Sequence, residues 1–150
     1  MSEMINEPEL TKNVNLCEQD GSLNEDAIGW SRYPLHRCNL KGHWLRKKRW
    51  NYWCVTNERF LFSVTLSNVD YMGLPFVYIL EFESGEFAEK TILSPLGKGC
   101  KLGEITSDPA HYQSKDMQIS MVSENNKVHI QVSCQDLGGK GLEADLWVTN

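Results

Sequence analysis

The sequence predicts an all-β fold, and three observations lead to that prediction. Apolar and polar residues alternate with a period of two in several separate stretches. Turn-forming residues stand between those stretches, and no stretch of helical length carries an amphipathic stripe. We therefore expect antiparallel strands that curl into a barrel or fold as a sandwich over residues 22–150. A loose, acidic N-terminal arm, residues 1–21, is expected to precede them.

The individual strands are predicted from the alternation in chain order. The apolar residues that share a face within each strand are Phe60, Phe62, Val64 and Leu66; Phe76, Tyr78, Leu80 and Phe82; Met117, Ile119 and Met121; Val128, Ile130, Val132 and Cys134; and Leu142, Ala144, Leu146 and Val148. Turns are predicted at 57–58, 84–86, 123–127 and 138–141, where Asn, Gly and Ser concentrate. At 150 residues and 41% hydrophobic composition, the chain can enclose one core.

Helix is expected in one place only. Ser22 and Glu25 have the spacing of a capping box, but Gly29 and Pro34 follow closely. Any helix there is limited to a turn or two.

Charge is distributed unevenly along the chain. Residues 1–28 carry a net charge of −6, residues 29–49 carry +7, and the remainder carries −6, giving −5 overall. We call residues 29–49 the basic segment. Because it lies between two acidic segments, its cations can pair within their own chain, which weakens the case for an external polyanion.

The strand that follows the basic segment has large rings on both faces. Trp50, Tyr52 and Cys54 fall on one face of Trp50–Thr56, and Trp53 falls on the other. Exposed aromatic patches of this size are uncommon, so both faces are predicted to be covered by a ligand, a second domain or the N-terminal arm.

The cysteine pattern and the length of the apolar stretches indicate the cellular compartment in which the protein is expected. Five cysteines are widely scattered without a C-x-x-C pair, a pattern typical of reduced thiols in a cytoplasmic protein. No stretch approaches the roughly 18 apolar residues of a membrane span, and the N-terminus does not resemble a signal peptide. A soluble, cytoplasmic protein is expected.

Two quoted segments connect the chain to a known family. "GWSRYPLHRCNLKGHWLRKKRWNYWCVTNERFLFSVTLSNVDYMGLPFVYILEF" (Gly29–Phe82) and "PLGKGC" (Pro95–Cys100) closely resemble domain-of-unknown-function family 2804, with a match from about residue 24 to about residue 148. That family is distantly similar to the lipocalins and to carotenoid hydratases, which pair two barrel-like domains.

The resemblance implies a lipocalin-like β domain. It also implies that a C-terminal half, absent from this sequence, is a partner, so the chain is interpreted as a fragment of a longer architecture. It implies no established activity, and whether the protein is an enzyme stays open.

Three interpretations are open for the run of cations Arg46–Arg49 beside the tryptophans. It could bind nucleic acid, through phosphates and stacked bases, or lie on an anionic membrane surface. The third and favoured interpretation places the cations at the mouth of an apolar site that holds a hydrophobic or amphiphilic small molecule. The residues predicted to contact that ligand are Arg46, Arg49, Trp50, Tyr52, Trp53, Phe60, Phe62, Tyr71 and Tyr78.

Asp70 is the candidate catalytic residue of a hydratase- or isomerase-like enzyme acting on a lipid or isoprenoid. A carboxyl group at the rim of an apolar interior could transfer a proton to an alkene. The alternative is that Asp70 caps a turn or pairs with an arginine of the basic segment. A purely structural domain is a further possibility.

No metal and no cofactor is predicted. His36, Cys38, His43 and Cys54 do not match a structural zinc spacing. The glycine-rich segments 97–99 and 138–141 do not form a P-loop and are interpreted as turns.

Overall fold

The computed structural model describes residues 7–149, so residues 1–6 of the predicted arm and Asn150 lie outside the described residues. Their fold is all-β, as predicted. The strands are β1 (Val14–Asn15), β2 (His36–Arg37), β3 (Arg49–Thr56), β4 (Phe60–Asn68), β5 (Met72–Gly73), β6 (Phe76–Glu81), β7 (Phe87–Thr91), β8 (Ser94–Pro95), β9 (Ala110–Gln113), β10 (Met117–Glu124), β11 (Lys127–Leu137) and β12 (Lys140–Thr149).

The chain forms two compact units, and the first holds the described residues up to Trp44 together with Glu104–Thr106. Its β1 and β2 pair in parallel, with Val14 opposite His36. A single-turn 3-10 helix, Glu25–Ala27, begins after Asn24, whose side chain accepts a hydrogen bond from the Asp26 amide at 3.0 Å. The described part of the arm takes part in this pairing through β1 and is not a free segment.

The second unit comprises residues 45–103 and 107–149 and contains the larger sheets. In the first, a six-stranded antiparallel sheet, β4 is central: it pairs with β3 along one edge and with β6 and the short β5 along the other. β7 continues the sheet beside β6, and β8 pairs with β5. The chain passes from β3 into β4 at Asn57, whose side chain accepts hydrogen bonds from the Arg59 and Phe60 amides.

The second sheet of this unit has four antiparallel strands in the order β12, β11, β10 and β9. β10 and β11 meet at Asn125 and Asn126, whose φ angles of 48° and 62° are typical of a tight hairpin turn. Gly138 and Gly139 make the next turn, also with positive φ. The predicted strands and turns of this half of the chain are confirmed.

The core of the second unit lies between the inner faces of its two sheets. Val64 and Leu66 of β4 and Ile130 of β11 have no exposed surface, and they belong to one apolar cluster. The alternation predicted for β4, β10, β11 and β12 therefore identifies the inner faces correctly. In β6 the inner residues are Val77 and Ile79, so the ring-bearing face, with Phe76 and Tyr78, points outward.

Candidate functional site

One face of the six-stranded sheet carries a row of aromatic side chains directed away from the core. We call it the outer aromatic face, and it consists of Trp50 and Tyr52 of β3, Phe76 and Tyr78 of β6, and Phe87 of β7. The orientation follows from alternation, because the neighbours of these rings in each strand pack against the core.

The rings are close enough to form a continuous surface. Thr65 of β4 lies opposite both Tyr52 and Phe76, so only one strand separates these rings. Phe76 stacks on Tyr78 with centroids 6.4 Å apart, and Tyr78 stacks on Phe87 at 5.8 Å. Within the described residues Trp50 is 66% exposed and Phe87 is 64% exposed. The described residues therefore leave Trp50 and Phe87 largely uncovered, and the expected cover of this face by a ligand or a second domain stays a prediction.

Two cations of the basic segment stand near the start of this face. Arg46 and Lys48 are exposed, and Lys48 precedes Trp50 by two residues, immediately before β3. Within residues 7–149 neither has a carboxylate oxygen within 4.0 Å. Their charge is therefore available to an anionic ligand.

Other cations of the basic segment have partners in their own chain. Arg32 pairs with Glu9 at 2.9 Å, and Arg37 lies 3.8 Å from Glu104, both in the first unit. This pairing within the chain is the arrangement that its charge distribution favours over a polyanion-binding surface.

Asp70 lies in the turn after β4, with a φ of 69°. One carboxylate oxygen accepts a hydrogen bond from the Leu45 amide at 3.0 Å, and the other lies 3.5 Å from the Lys47 ammonium. Its side chain is 15% exposed. These contacts resemble those of the structural alternative, a turn residue paired with the basic segment, but the partner is Lys47 and not an arginine. A role in proton transfer stays a prediction.

The remaining predicted ligand residues do not gather at one place. Trp53 and Phe62 are on the inner face of the sheet, packed in or against the core. Phe60 lies at the start of β4, with the Arg59 guanidinium 4.8 Å from its ring centroid. Tyr71 is exposed in the turn beyond β4.

Arg49 begins β3 with the parity of Trp53 and is half-buried. Of the nine residues in the predicted ligand set, Trp50, Tyr52 and Tyr78 share the outer aromatic face, and Arg46 is exposed shortly before it in the chain.

A second feature is a groove on the outer face of the four-stranded sheet, with a volume of about 590 Å³. Two rows of side chains cross its floor. In one row Gln113, Gln118, Ser133 and Glu143 lie opposite one another on β9, β10, β11 and β12.

The second row is parallel to the first and consists of His111, Ser120, Gln131 and Asp145. Lys101 borders the groove at the β9 edge, where its backbone pairs with that of His111. Both rows are polar from one edge of the sheet to the other.

The carboxylates of the groove are fixed by neighbouring side chains. Asp145 accepts hydrogen bonds from His129 Nε2 at 2.7 Å and from Gln131 Nε2 at 3.0 Å, and these bonds lower the pKa of Asp145 below its usual value. Ser133 donates to Glu143 at 2.7 Å. The Trp147 ring stacks on His129 with centroids 4.1 Å apart and holds the imidazole in place.

Sequence reasoning missed the groove. The polar side chains of β9–β12 are ordinary for the solvated face of an antiparallel sheet, and the groove exists only once four strands are in register. One compositional signal was present, since three of the five glutamines of the chain, Gln113, Gln118 and Gln131, line it.

Metal-capable and nucleophilic groups do not form a reactive cluster. Within residues 7–149 no three His, Cys, Asp or Glu side chains come together as metal ligands. Burial raises the pKa of Cys100 to about 11, so this thiol is protonated at neutral pH. None of the helical structure described between residues 7 and 149 is long and apolar enough to cross a bilayer.

Comparison with known proteins places the chain in a family. The family model "Domain of unknown function (DUF2804)" matches residues 7–150, nearly the whole sequence, and the chain belongs to that family. Neither a curated protein nor a solved structure matches the chain.

Proposed function

We propose that this member of the DUF2804 family is a binding domain for an amphiphilic small molecule with an anionic head group. The ligand's apolar part lies across the outer aromatic face, and its head group lies at Arg46 and Lys48. This retains the ligand class that the sequence favoured and moves the site from the interior of the fold to the outer surface of the six-stranded sheet.

The observation that carries the proposal is the aromatic row itself, in which Trp50, Tyr52 and Phe87 are exposed and Phe76 and Tyr78 are half-buried. A soluble domain gains stability by covering large rings, and extended exposed apolar patches are most often interaction sites. Three strand spacings separate β3 from β7, so the row is about 14 Å long. An extended acyl chain can contact Trp50, Tyr52 and Tyr78 together.

The charges near one end of the row favour an anion. Lys48 and Arg46 are the exposed cations nearest in sequence to Trp50, whereas Glu89 lies on the same face opposite Tyr78. A carboxylate or sulfate head group is attracted to the β3 end and repelled from the β7 end. The ligand's direction across the sheet is thereby determined.

Laurate, a twelve-carbon carboxylate, tests the proposal by isothermal titration calorimetry below its micellar concentration. We expect Trp50→Ala to weaken laurate binding about tenfold, equivalent to about 1.4 kcal/mol, because the largest exposed ring of the face is removed. Trp147→Ala is the matched control, since Trp147 is comparably exposed but lies on the other sheet. The control should leave laurate affinity unchanged.

Reversal of charge tests the head-group position. Lys48→Glu should weaken laurate binding and strengthen binding of dodecyltrimethylammonium, which has the same tail and a cationic head. The proposal is wrong if laurate does not bind the unsubstituted protein, or if Trp147→Ala and Trp50→Ala weaken it equally.

The substitution Asp70→Asn distinguishes the proposed binding domain from the hydratase- or isomerase-like alternative. Asparagine keeps an oxygen that can accept from the Leu45 amide but cannot donate a carboxyl proton. A binding domain with Asp70→Asn should retain laurate affinity. An enzyme that hydrates an alkene should still bind its substrate and lose turnover.

A further inference from the structure

We propose that the groove across β9–β12 is a second binding site, specific for a neutral polyhydroxylated molecule, namely an oligosaccharide of two or three rings. It lies on the outer face of the four-stranded sheet, whereas the outer aromatic face belongs to the six-stranded sheet. The proposal is independent of the amphiphile site and uses different residues.

The functional groups of the groove match those of a sugar. A hydroxyl group both donates and accepts hydrogen bonds, and so do the side chains of Gln118, Gln131 and Ser120. Glu143 and Asp145 add strong acceptors for hydroxyl protons. Hydroxyl, amide and carboxylate groups are therefore available along both rows of the groove.

The groove lacks large apolar side chains on its floor. Tyr112, Ile119 and Val132 border it but belong to the core cluster, where they are only 3%, 2% and 2% exposed. An apolar ligand would desolvate amides and carboxylates without replacing their hydrogen bonds to water, at a cost of about 1–3 kcal/mol for each group. The site consequently selects against the amphiphile proposed for the other sheet.

The charges favour a neutral ligand. Lys101 stands at the β9 edge, and the two carboxylates stand on β12, about 14 Å away across three strand spacings. Asp145 already receives hydrogen bonds from His129 and Gln131. An ion that spanned the groove would be attracted at one edge and repelled at the other, whereas neutral hydroxyl groups can donate to the carboxylates and accept from Lys101.

The site is also organised before a ligand arrives. Ser133 holds Glu143, Gln131 and His129 hold Asp145, and all five side chains project from paired strands. Each carboxylate can still accept further hydrogen bonds, because a carboxylate has about four acceptor positions. Fixed side chains reduce the entropy lost on binding.

The dimensions indicate the ligand size. Binding sites for small molecules usually have volumes of about 300–1,000 Å³, and this groove, at about 590 Å³, lies within that range. Its polar floor extends over four strands. A single ring would leave one of the two edges of the groove unoccupied.

Maltotriose, cellotriose and N,N′,N″-triacetylchitotriose are suitable neutral probes, each titrated into ¹⁵N-labelled protein and followed by amide NMR shifts. At least one should produce saturable shifts of the amides of residues 111–113, 118–120, 131–133 and 143–145. Failure of all three to shift these amides overturns the proposal, as does binding whose shifts lie only on the six-stranded sheet.

Substitutions in the groove test which side chains contact the saccharide. Glu143→Gln and Asp145→Asn keep the size of each side chain and remove the charged acceptor, so each should weaken saccharide binding at least about tenfold. Glu124→Gln is the matched control, because Glu124 lies on the same face of β10 but outside the groove, and it should have no effect. Equal loss in all three variants, or no loss in the groove variants, contradicts the proposal.

Competition between laurate and the saccharide tests whether this site and the amphiphile site are independent. A saturating concentration of laurate should leave saccharide affinity unchanged, and Trp50→Ala should not alter it. Displacement of the saccharide by laurate would contradict two independent sites. Loss of laurate binding with intact saccharide binding would reject the amphiphile proposal alone.

Discussion

Asp145 shows how a single residue of the groove depends on its neighbours. Hydrogen bonds from His129 and Gln131 lower the pKa of its carboxyl group, the larger effect coming from His129. Because the folded-state pKa lies below the unfolded value of about 3.9, the contribution of these bonds to stability is present above that value. It is lost as the pH falls through the folded-state pKa.

We predict that His129→Ala raises the pKa of Asp145 toward the ordinary value of an aspartate, since the hydrogen bond that lowers it most is removed. Carbon-detected NMR titration of the Asp145 carboxyl group measures this directly. Val122→Ala is the control, because Val122 lies opposite His129 on β10 and offers no hydrogen bond. An unchanged titration midpoint in His129→Ala would show that the hydrogen bond does not lower the pKa.

Trp53 shows what the alternation of residues in a strand can and cannot predict about one side chain. Alternation separates it from Trp50 and Tyr52, and the structure confirms that separation. Alternation does not show which face is inward, because both faces carry rings. The pairing of Trp53 with Val64, which has no exposed surface, places it against the core. Its buried indole Nε1 has no hydrogen-bond partner among residues 7–149.

At the scale of the elements, the contact between β5 and the segment after β8 leaves no room for a side chain at Gly73. A Cβ atom added to Gly73 would lie 2.5 Å from Cys100 Sγ and 3.1 Å from the Cα atom of Gly97. Both distances are shorter than ordinary van der Waals contact. The glycine therefore allows β5 to pair with β8 beside the Cys100 thiol.

Gly73→Ala should lower the free energy of unfolding by about 1–3 kcal/mol, as overpacked sites do. In the background of Cys100→Ala the cost of Gly73→Ala should be smaller, because the nearest clashing atom is gone. Urea denaturation of the four proteins of this cycle measures the coupling. Gly141→Ala is the control, with no neighbouring atom closer than 3.7 Å, and strictly additive effects would contradict the explanation.

Most of the strands could be predicted from the sequence, but for β6 the sequence does not show which face is directed inward. Met117, Ile119 and Met121 alternate with polar residues in β10, so their inward orientation follows from the sequence. In β6 the sequence Phe-Val-Tyr-Ile-Leu is apolar at every position, and either face could be inward. The register with β4 decides, because it places Val77 opposite the buried Val64.

At the scale of the whole molecule, the groove could not be predicted from the sequence. Its residues come from 99–101, 111–113, 118–120, 131–133 and 143–145, and no local motif links these segments. Only the complete register of four strands brings them together. The aromatic residues of β3, in contrast, are consecutive in sequence, so their candidacy was recognisable.

The shared core predicts that the two sheets of the second unit unfold together. Ile130 of β11 packs in the same cluster as Leu66 of β4, and both are fully buried. Ile130→Ala should cost about 2–5 kcal/mol through lost burial and the cavity that remains. Because the core belongs to both sheets, this loss should reach the six-stranded sheet as well.

Single-tryptophan variants that retain either Trp53 or Trp147 report on the two sheets separately, since each ring belongs to one of them. We expect Ile130→Ala to lower the urea midpoint of both reporters equally. Gln135→Ala, an exposed position of the same strand, should change neither by more than about 0.5 kcal/mol. A shift confined to the Trp147 reporter would mean that the sheets are independent, and the two proposed binding faces would then belong to separately stable structures.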